Sequence, residues 1–198
     1  MPYAKDFVPT GKTDQFLKQQ DIPVGKPYIV RFLSEMVGGY ELWVDTGERK
    51  EDGSPKYTPV RYTDFTHFTP EEKRRAQPSK DGKGLQTPSE FNAVTVWDYQ
   101  DEKIKTFSFT SPKIKWPILV AEDSERFGGD SRKFDIELHK DGSGSLTKYS
   151  AIALPPTPLD PQIEMLYEQA RDSIDLTKLF DGKYPVGPED PTGGAFDS

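Results

Sequence analysis

Alternation of apolar and polar positions dominates the chain and predicts strands more often than helices. Lys26 to Ser34 puts Tyr28, Val30 and Phe32 on one side and Ile29, Arg31 and Leu33 on the other, a strand whose two faces both require cover. After Gly38-Gly39, the run Tyr40-Glu41-Leu42-Trp43-Val44 reads as its hairpin partner. Lys56 to Thr63 predicts a weaker strand, because Pro59 lacks a ladder donor and belongs at an edge or bulge. Phe91 to Tyr99 and Lys103 to Thr110 form the clearest hairpin, turning through Gln100-Asp101-Glu102, and are expected at the centre of the sheet. A further hairpin takes Lys133 to His139, with Phe134, Ile136 and Leu138 inward, through Asp141-Gly142-Ser143-Gly144 and back along Leu146 to Leu154.

Helical periodicity is confined to three places. Thr69-Pro70 can cap a short turn holding Glu71 and Glu72. Ser111-Pro112 has the form of a helix start, but Pro117 should either break that helix or begin the one carrying Ile118, Leu119 and Val120. Asp160-Pro161 opens the best helix, where Ile163, Leu166, Tyr167, Ala170 and Ile174 recur at a spacing that lays one stripe on the sheet. The elements predict a mainly β protein with a few helices and long inserted loops. Residues 1–25 are expected to be a partly ordered arm and residues 26–182 one domain. Residues 183–198, with Pro185, Pro188, Pro191 and three glycines among few apolar residues, are expected to be a disordered acidic tail.

Composition narrows the possibilities. Of 198 residues 33% are hydrophobic, and Gly and Pro together number 34, so loops or tails dilute an ordinary core. There is no cysteine, which excludes disulfides, thiolate zinc sites and a Cys nucleophile and suggests a reducing compartment. Neither the start, Met1-Pro2-Tyr3-Ala4-Lys5-Asp6, nor any later segment offers a signal-like apolar run or the roughly 20 apolar residues of a membrane span, so a cytoplasmic protein is expected. The net charge of −7 argues at first against nucleic acid. Yet residues 158–198 hold nine acids against three cations, which leaves residues 1–157 at only −1. An almost neutral body can gather its cations into a stripe that attracts phosphate.

The strongest chemical pattern is a set of aromatics interleaved with cations on strands: Arg31, Trp43, Tyr57, Arg61, Tyr62, Trp97, Lys105, Lys148 and Tyr149. Single-stranded nucleic acid needs both, since phosphates require cations along a groove and unstacked bases regain about 1–3 kcal/mol each on an aromatic face. The bland alternative is that each ring belongs to the core, where large aromatics dominate buried area. The insertion between Asp64 and Glu90 concentrates Lys73, Arg74 and Arg75 with Lys80 and Lys83, as a flap over a phosphate backbone would; a solvated loop is the competing reading. Enzyme constellations are thin. Asp135 and Glu137 share a strand face and, with Asp98 or Asp130, could hold a divalent metal for nuclease chemistry. His67 and His139, the only histidines, lack a third neighbour for a zinc set or a triad.

The order of Lys26-Pro27-Tyr28-Ile29-Val30-Arg31-Phe32-Leu33, then Val94-Thr95-Val96-Trp97-Asp98-Tyr99, then Phe134-Asp135-Ile136-Glu137-Leu138 turning through Gly142-Ser143-Gly144 into Leu146-Thr147-Lys148-Tyr149-Ser150, resembles the single-stranded-DNA-binding proteins of tailed phages. The likeness spans residues 26–180 and extends to the helix after Pro161 and the acidic end. It implies an OB-type five-stranded barrel whose groove holds DNA, and an acidic C-terminal region that contacts replication and recombination proteins. Two departures stand out. The cysteine-and-histidine zinc site of the T-even type cannot be built here, and Phe196 is followed by Asp197 and Ser198 instead of ending an apolar tip. The resulting expectation is a cofactor-free, non-enzymatic protein that binds single-stranded DNA with little regard to sequence during phage replication, recombination or repair. The alternatives are a metal-dependent nuclease and a phage structural or interaction protein with no DNA role.

Overall fold

The computed structural model describes residues 15–79 and 82–185. In chain order its elements are β1 (Phe16–Lys18), β2 (Tyr28–Phe32), β3 (Val37–Arg49), β4 (Pro55–Tyr62), α1 (Pro70–Arg74), β5 (Ser89–Asp98), β6 (Lys103–Phe109), α2 (Pro112–Glu122), β7 (Asp135–Asp141), β8 (Lys148–Ala153) and α3 (Pro161–Ala170), with a 3-10 helix at Leu176–Asp181. The expected tail falls almost wholly on residues 186–198, outside the described residues, and so does Lys80 of the basic loop.

β5 organises the sheet because every residue from Phe91 to Asp98 is buried, so both its faces and both its edges are in use. β6 takes one whole edge in the predicted hairpin, from Asn92↔Phe109 to Asp98↔Lys103. The other edge is shared: β2 holds the Val96–Asp98 end and β3 the Ser89–Ala93 end, both antiparallel. Between them Leu33 N–H donates to the Thr95 carbonyl at 2.9 Å, and the Ser34 hydroxyl accepts from Thr95 N–H at 3.0 Å, so a side chain patches the ladder where the backbone turns away. From that point the sheet branches. β2 leads to β7 and β8, while β3 leads to β4.

The sheet is therefore mainly antiparallel with one parallel pair, β1 with β6, and it is not closed into a barrel. The expected OB-type closure of five strands is not what these residues form, since the path runs from β1 to β8 and those two strands do not pair. A physical reason is visible at Gly38-Gly39. Read as a hairpin turn, these glycines would fold Tyr40–Val44 back on the first strand; instead they lie within β3, which runs on as an arm with β4. Pro59 sits on β4, which pairs only with β3, so its missing donor faces an unpaired edge as predicted.

Even-numbered residues of β5 face the main core, where Val94 and Val96 meet Val30, Phe32, Phe107, Phe109, Ile136 and Leu138. α2 covers this face through Ile114, Ile118 and Ala121. Contrary to expectation Pro117 neither ends nor starts that helix. It removes one hydrogen bond to the Lys113 carbonyl, and burial of Ile114 and Ile118 on either side carries the helix through. Leu17 and Ile22 also lie in this core, so the N-terminal segment contributes packing before Lys26. The odd-numbered face is covered by the C-terminal segment. Ile163 of α3, capped by Asp160, packs on Leu33, Trp97 and Ile104, while Leu176 and Leu179 pack on Phe91 and Ala93.

The last of these contacts fixes Gly39. A Cβ there would stand 2.5 Å from Phe180 Cε1 and 2.5 Å from the Tyr62 carbonyl oxygen, and the latter is backbone that cannot yield. At Gly38 the nearest atom, Asn92 Oδ1, would be 3.5 Å away. Urea denaturation should therefore find Gly39→Ala destabilised by about 1–3 kcal/mol, as overpacked sites are, and Gly38→Ala close to wild type. Equal midpoints for the two variants would show that Phe180 does not close over β3.

Candidate nucleic-acid interface

The predicted residues divide by sheet face. Register puts Arg31, Trp97, Lys148, Trp43, Tyr57 and Arg61 on the odd-numbered face of β5 and its neighbours, whereas Lys105, Tyr149 and Tyr62 lie on the opposite side. Six of the nine thus share one face and three lie on the other. The middle of that face is nevertheless closed.

Arg31 is 1% exposed. Its Nε donates to Asp135 Oδ1 at 2.5 Å, and its Nη atoms donate to the Arg132 carbonyl and to the carbonyl and hydroxyl of Thr157. A buried guanidinium needs such partners, and here they clamp the chain after β8 over the sheet; the expected phosphate contact at Arg31 is corrected to a structural one. Trp97 is 5% exposed beneath Ile163 and is likewise interior. Lys105 binds Asp98 at 2.8 Å and also Asp101, under the main core, and cannot reach a ligand. Burial works to lower the Lys105 ammonium, and its bonds to the two carboxylates overcome that and hold it raised. Tyr149 packs against the main core, and Tyr62 stacks edge-on against Phe68 while its hydroxyl donates to Glu72 at 2.8 Å. Lys148 is exposed at the far edge strand, distant in the sheet order from the arm.

The open part is the β3–β4 arm. On one side Leu42 and Val44 bury Phe68 and Ala76, which attach the basic loop to the arm. On the other side Glu41, Trp43 and Asp45 stand opposite Arg61, Pro59 and Tyr57. Trp43 and Tyr57 are half-buried and diagonal neighbours across the ladder. The Trp43 indole N–H donates to Glu41 Oε1 at 2.9 Å, and Arg61 holds the same carboxylate through Nε and Nη2 at 2.8 and 2.7 Å. Arg61 in turn lies 4.3 Å over the Phe91 ring. Edge contacts thus fix the indole, which remains partly exposed. Arg61 is a support for the ring and not itself a phosphate ligand.

The basic loop is stitched to this arm and does not hang over it as a flap. Asp45 N–H donates to the Arg75 carbonyl at 2.8 Å and Gln77 N–H to the Trp43 carbonyl at 2.9 Å, with Val44 opposite Ala76. Because Ala76 faces the apolar side, Arg75 and Gln77 fall beside Asp45 and Trp43 on the open side. Arg75 is exposed; it donates to the Asp45 carbonyl and stands 3.8 Å from Glu71. Lys73 and Arg74 are exposed on α1, where Lys73 Nζ lies 5.3 Å from the Phe65 ring centre. Asp45 accepts from Gly47 N–H at 2.7 Å and pairs with Arg49 at 3.3 Å, so the carboxylate beside Tyr57 is balanced. Sequence reasoning missed Glu41, the clamp of Trp43, and Gln77, whose only signal was the polar–small–polar alternation Arg75-Ala76-Gln77.

The metal alternative finds no assembled ligand set. Asp135 accepts from Arg31 and from Tyr99 at 2.9 Å, Glu137 pairs with His139 at 2.7 Å, and Asp98 lies on the buried opposite face. No group of three or more metal-ligating side chains occurs among the described residues. A cavity of about 360 Å³ beside α2 is lined by Phe32, Met36, Leu119, Glu122 and Asp130, and of the candidate metal ligands it holds Asp130 alone, whose carboxylate accepts from Arg132 at 2.9 Å. Among the described residues no helix is long and apolar enough to cross a membrane.

Three phenols report on these networks. Burial, reinforced by the bond to Asp98 at 2.6 Å and its charge, raises Tyr28 far above the ordinary range. Burial and Asp135 push Tyr99 up to about 12, and the bond to Glu72 with burial raises Tyr62. Each phenol holds its proton more tightly folded than unfolded. Its stabilising contribution is complete below the unfolded value near 10 and is lost as pH climbs toward the folded one. The urea midpoint should therefore fall as pH rises above about 10, and less steeply in Tyr28→Phe. An unchanged pH slope in that variant would contradict the Tyr28–Asp98 coupling.

Compared with known proteins, the chain matches no family model, no curated protein and no solved structure.

Proposed function

We propose that the protein binds single-stranded DNA with little sequence preference, through the open face of the β3–β4 arm. The observation that carries this is Trp43: a half-open indole whose N–H is tied down by Glu41 while Arg61 holds that carboxylate. A ring fixed at its edge loses little freedom when a base stacks on its face, so more of the stacking energy appears as affinity. Tyr57 offers a second ring one diagonal step away, and Arg75 supplies a cation on the same side. Lys73 and Arg74 on the other side add positive potential along the arm.

Local charge fits the proposal despite the net −7 of the chain. Glu41 and Asp45 are neutralised by Arg61 and Arg49, and residues 64–90 hold five cations against five acids, so the attraction for phosphate rests on the clustering of Lys73, Arg74 and Arg75 within an otherwise balanced loop. The resemblance to phage single-stranded-DNA-binding proteins points the same way. The OB-type groove it implies enters here as a mode of binding, a sheet face with rings between cations. Coating of exposed strands during replication, recombination or repair is the corresponding role, with the acidic C-terminal region available to partner proteins.

Tryptophan fluorescence tests the proposal. The chain has three tryptophans, of which Trp97 is buried and Trp116 is 61% exposed on α2, so a Trp116→Phe background isolates the Trp43 signal. Oligothymidylate should quench it. Trp43→Ala and Tyr57→Ala should each weaken binding about 5- to 100-fold, the loss of one stacking partner. Arg75→Ala should reduce the salt dependence by about one phosphate contact. Wild-type affinity in both ring variants would contradict the proposal, and cleavage of the strand in magnesium would favour a nuclease.

A further inference from the structure

Gln77 stands beside Trp43 where the loop pairs with β3. Its backbone is fully used, with N–H to the Trp43 carbonyl at 2.9 Å and its own carbonyl accepting from Gln86 at 2.8 Å. Its side chain is half-buried on the open face, one strand spacing of about 5 Å from Trp43, and among the described residues its amide bonds no protein group. A free amide next to a fixed indole is poised over the edge of whatever stacks on that ring.

We infer that Gln77 hydrogen-bonds the Watson–Crick edge of the base stacked on Trp43, which makes the arm selective for unpaired bases of any identity; this rests on the arm binding single strands. Each base presents a donor beside an acceptor on that edge, and in a duplex the edge is occupied by the partner strand. A primary amide carries one acceptor and two donors in a plane, and a half-turn about its terminal torsion reverses their order. The same side chain can therefore meet adenine, cytosine, guanine or thymine. Stacking alone tolerates every base, but it does not distinguish a free edge from a paired one.

The test uses the full chain with oligothymidylate and with its N3-methylated counterpart, which keeps the ring and the charge but blocks the edge. Wild type should bind the methylated strand about five- to tenfold more weakly, the effect of one lost hydrogen-bonding pair. Gln77→Leu should bind both strands equally, at the weaker level. In Gln77→Glu the carboxylate can accept two bonds from guanine N1–H and N2–H, so an alternating guanine–thymine strand should now be preferred over oligothymidylate, a gain that misfolding cannot mimic. Undiminished discrimination in Gln77→Leu, or no guanine preference in Gln77→Glu, overturns the assignment while leaving the arm as the binding surface. A wild-type protein that binds neither strand removes the underlying proposal and this inference with it.

Discussion

The division of one edge of β5 between β2 and β3 is the constraint on which the rest of the structure depends. β5 is buried on both faces and filled on its other edge by β6, so it cannot shift register without moving the whole core from one face to the other. Two strands compete for its remaining edge, and each has room for only part of it. Beyond that part, each must find a second partner. β2 finds β7, and the main core closes around them. β3 runs past the end of β5 and finds β4, which makes an arm with one packed side and one open side.

Everything proposed about binding follows from that overrun. Over β5 itself the odd-numbered face is valuable apolar surface, and the C-terminal segment covers it; large rings such as Trp97 are stabilised by that burial, and a cation such as Arg31 survives there only by bonding Asp135 and Thr157. Glu41, still opposite Ser89, is buried, and past the end of β5 the same face continues through Trp43 and Asp45, which are partly exposed. Polar clamps replace packing there. Glu41 and Arg61 fix Trp43 from the side, Arg49 neutralises the Asp45 carboxylate across the irregularity in β3, and the loop strand at Arg75–Gln77 extends the platform. The face that is core over one strand is a surface over the next.

Much of the fold was legible in the sequence. Strict alternation located the β5–β6 and β7–β8 hairpins, and Phe134, Ile136 and Leu138 are fully buried as their spacing indicated. Side-chain caps located both α1 and α3, since Thr69 accepts from Glu72 N–H and Asp160 from Gln162 N–H. What misled was local evidence with a distant cause. Gly38-Gly39 has the composition of a turn, but Gly39 is needed because Phe180, far along the chain, closes against β3. The site was legible only as a set of interleaved rings and cations. Alternation grouped Arg31, Trp97, Trp43 and Tyr57 with Lys105, Tyr62 and Tyr149, but it carries no information on which of them share a face once the strands pair, or on which stretch of that face α3 and the Leu176–Asp181 helix would cover. Gln77 was invisible because its role comes from the pairing of a loop with β3.

The central claim is that nucleic acid meets the protein on the uncovered end of this shared face. Photocrosslinking of the full chain to an oligonucleotide containing 5-bromodeoxyuridine, with the modified residues located by mass spectrometry, tests it most directly. Adducts are predicted on Trp43 and Tyr57. Adducts confined to β7, β8 or α2, with none on the arm, would contradict the account.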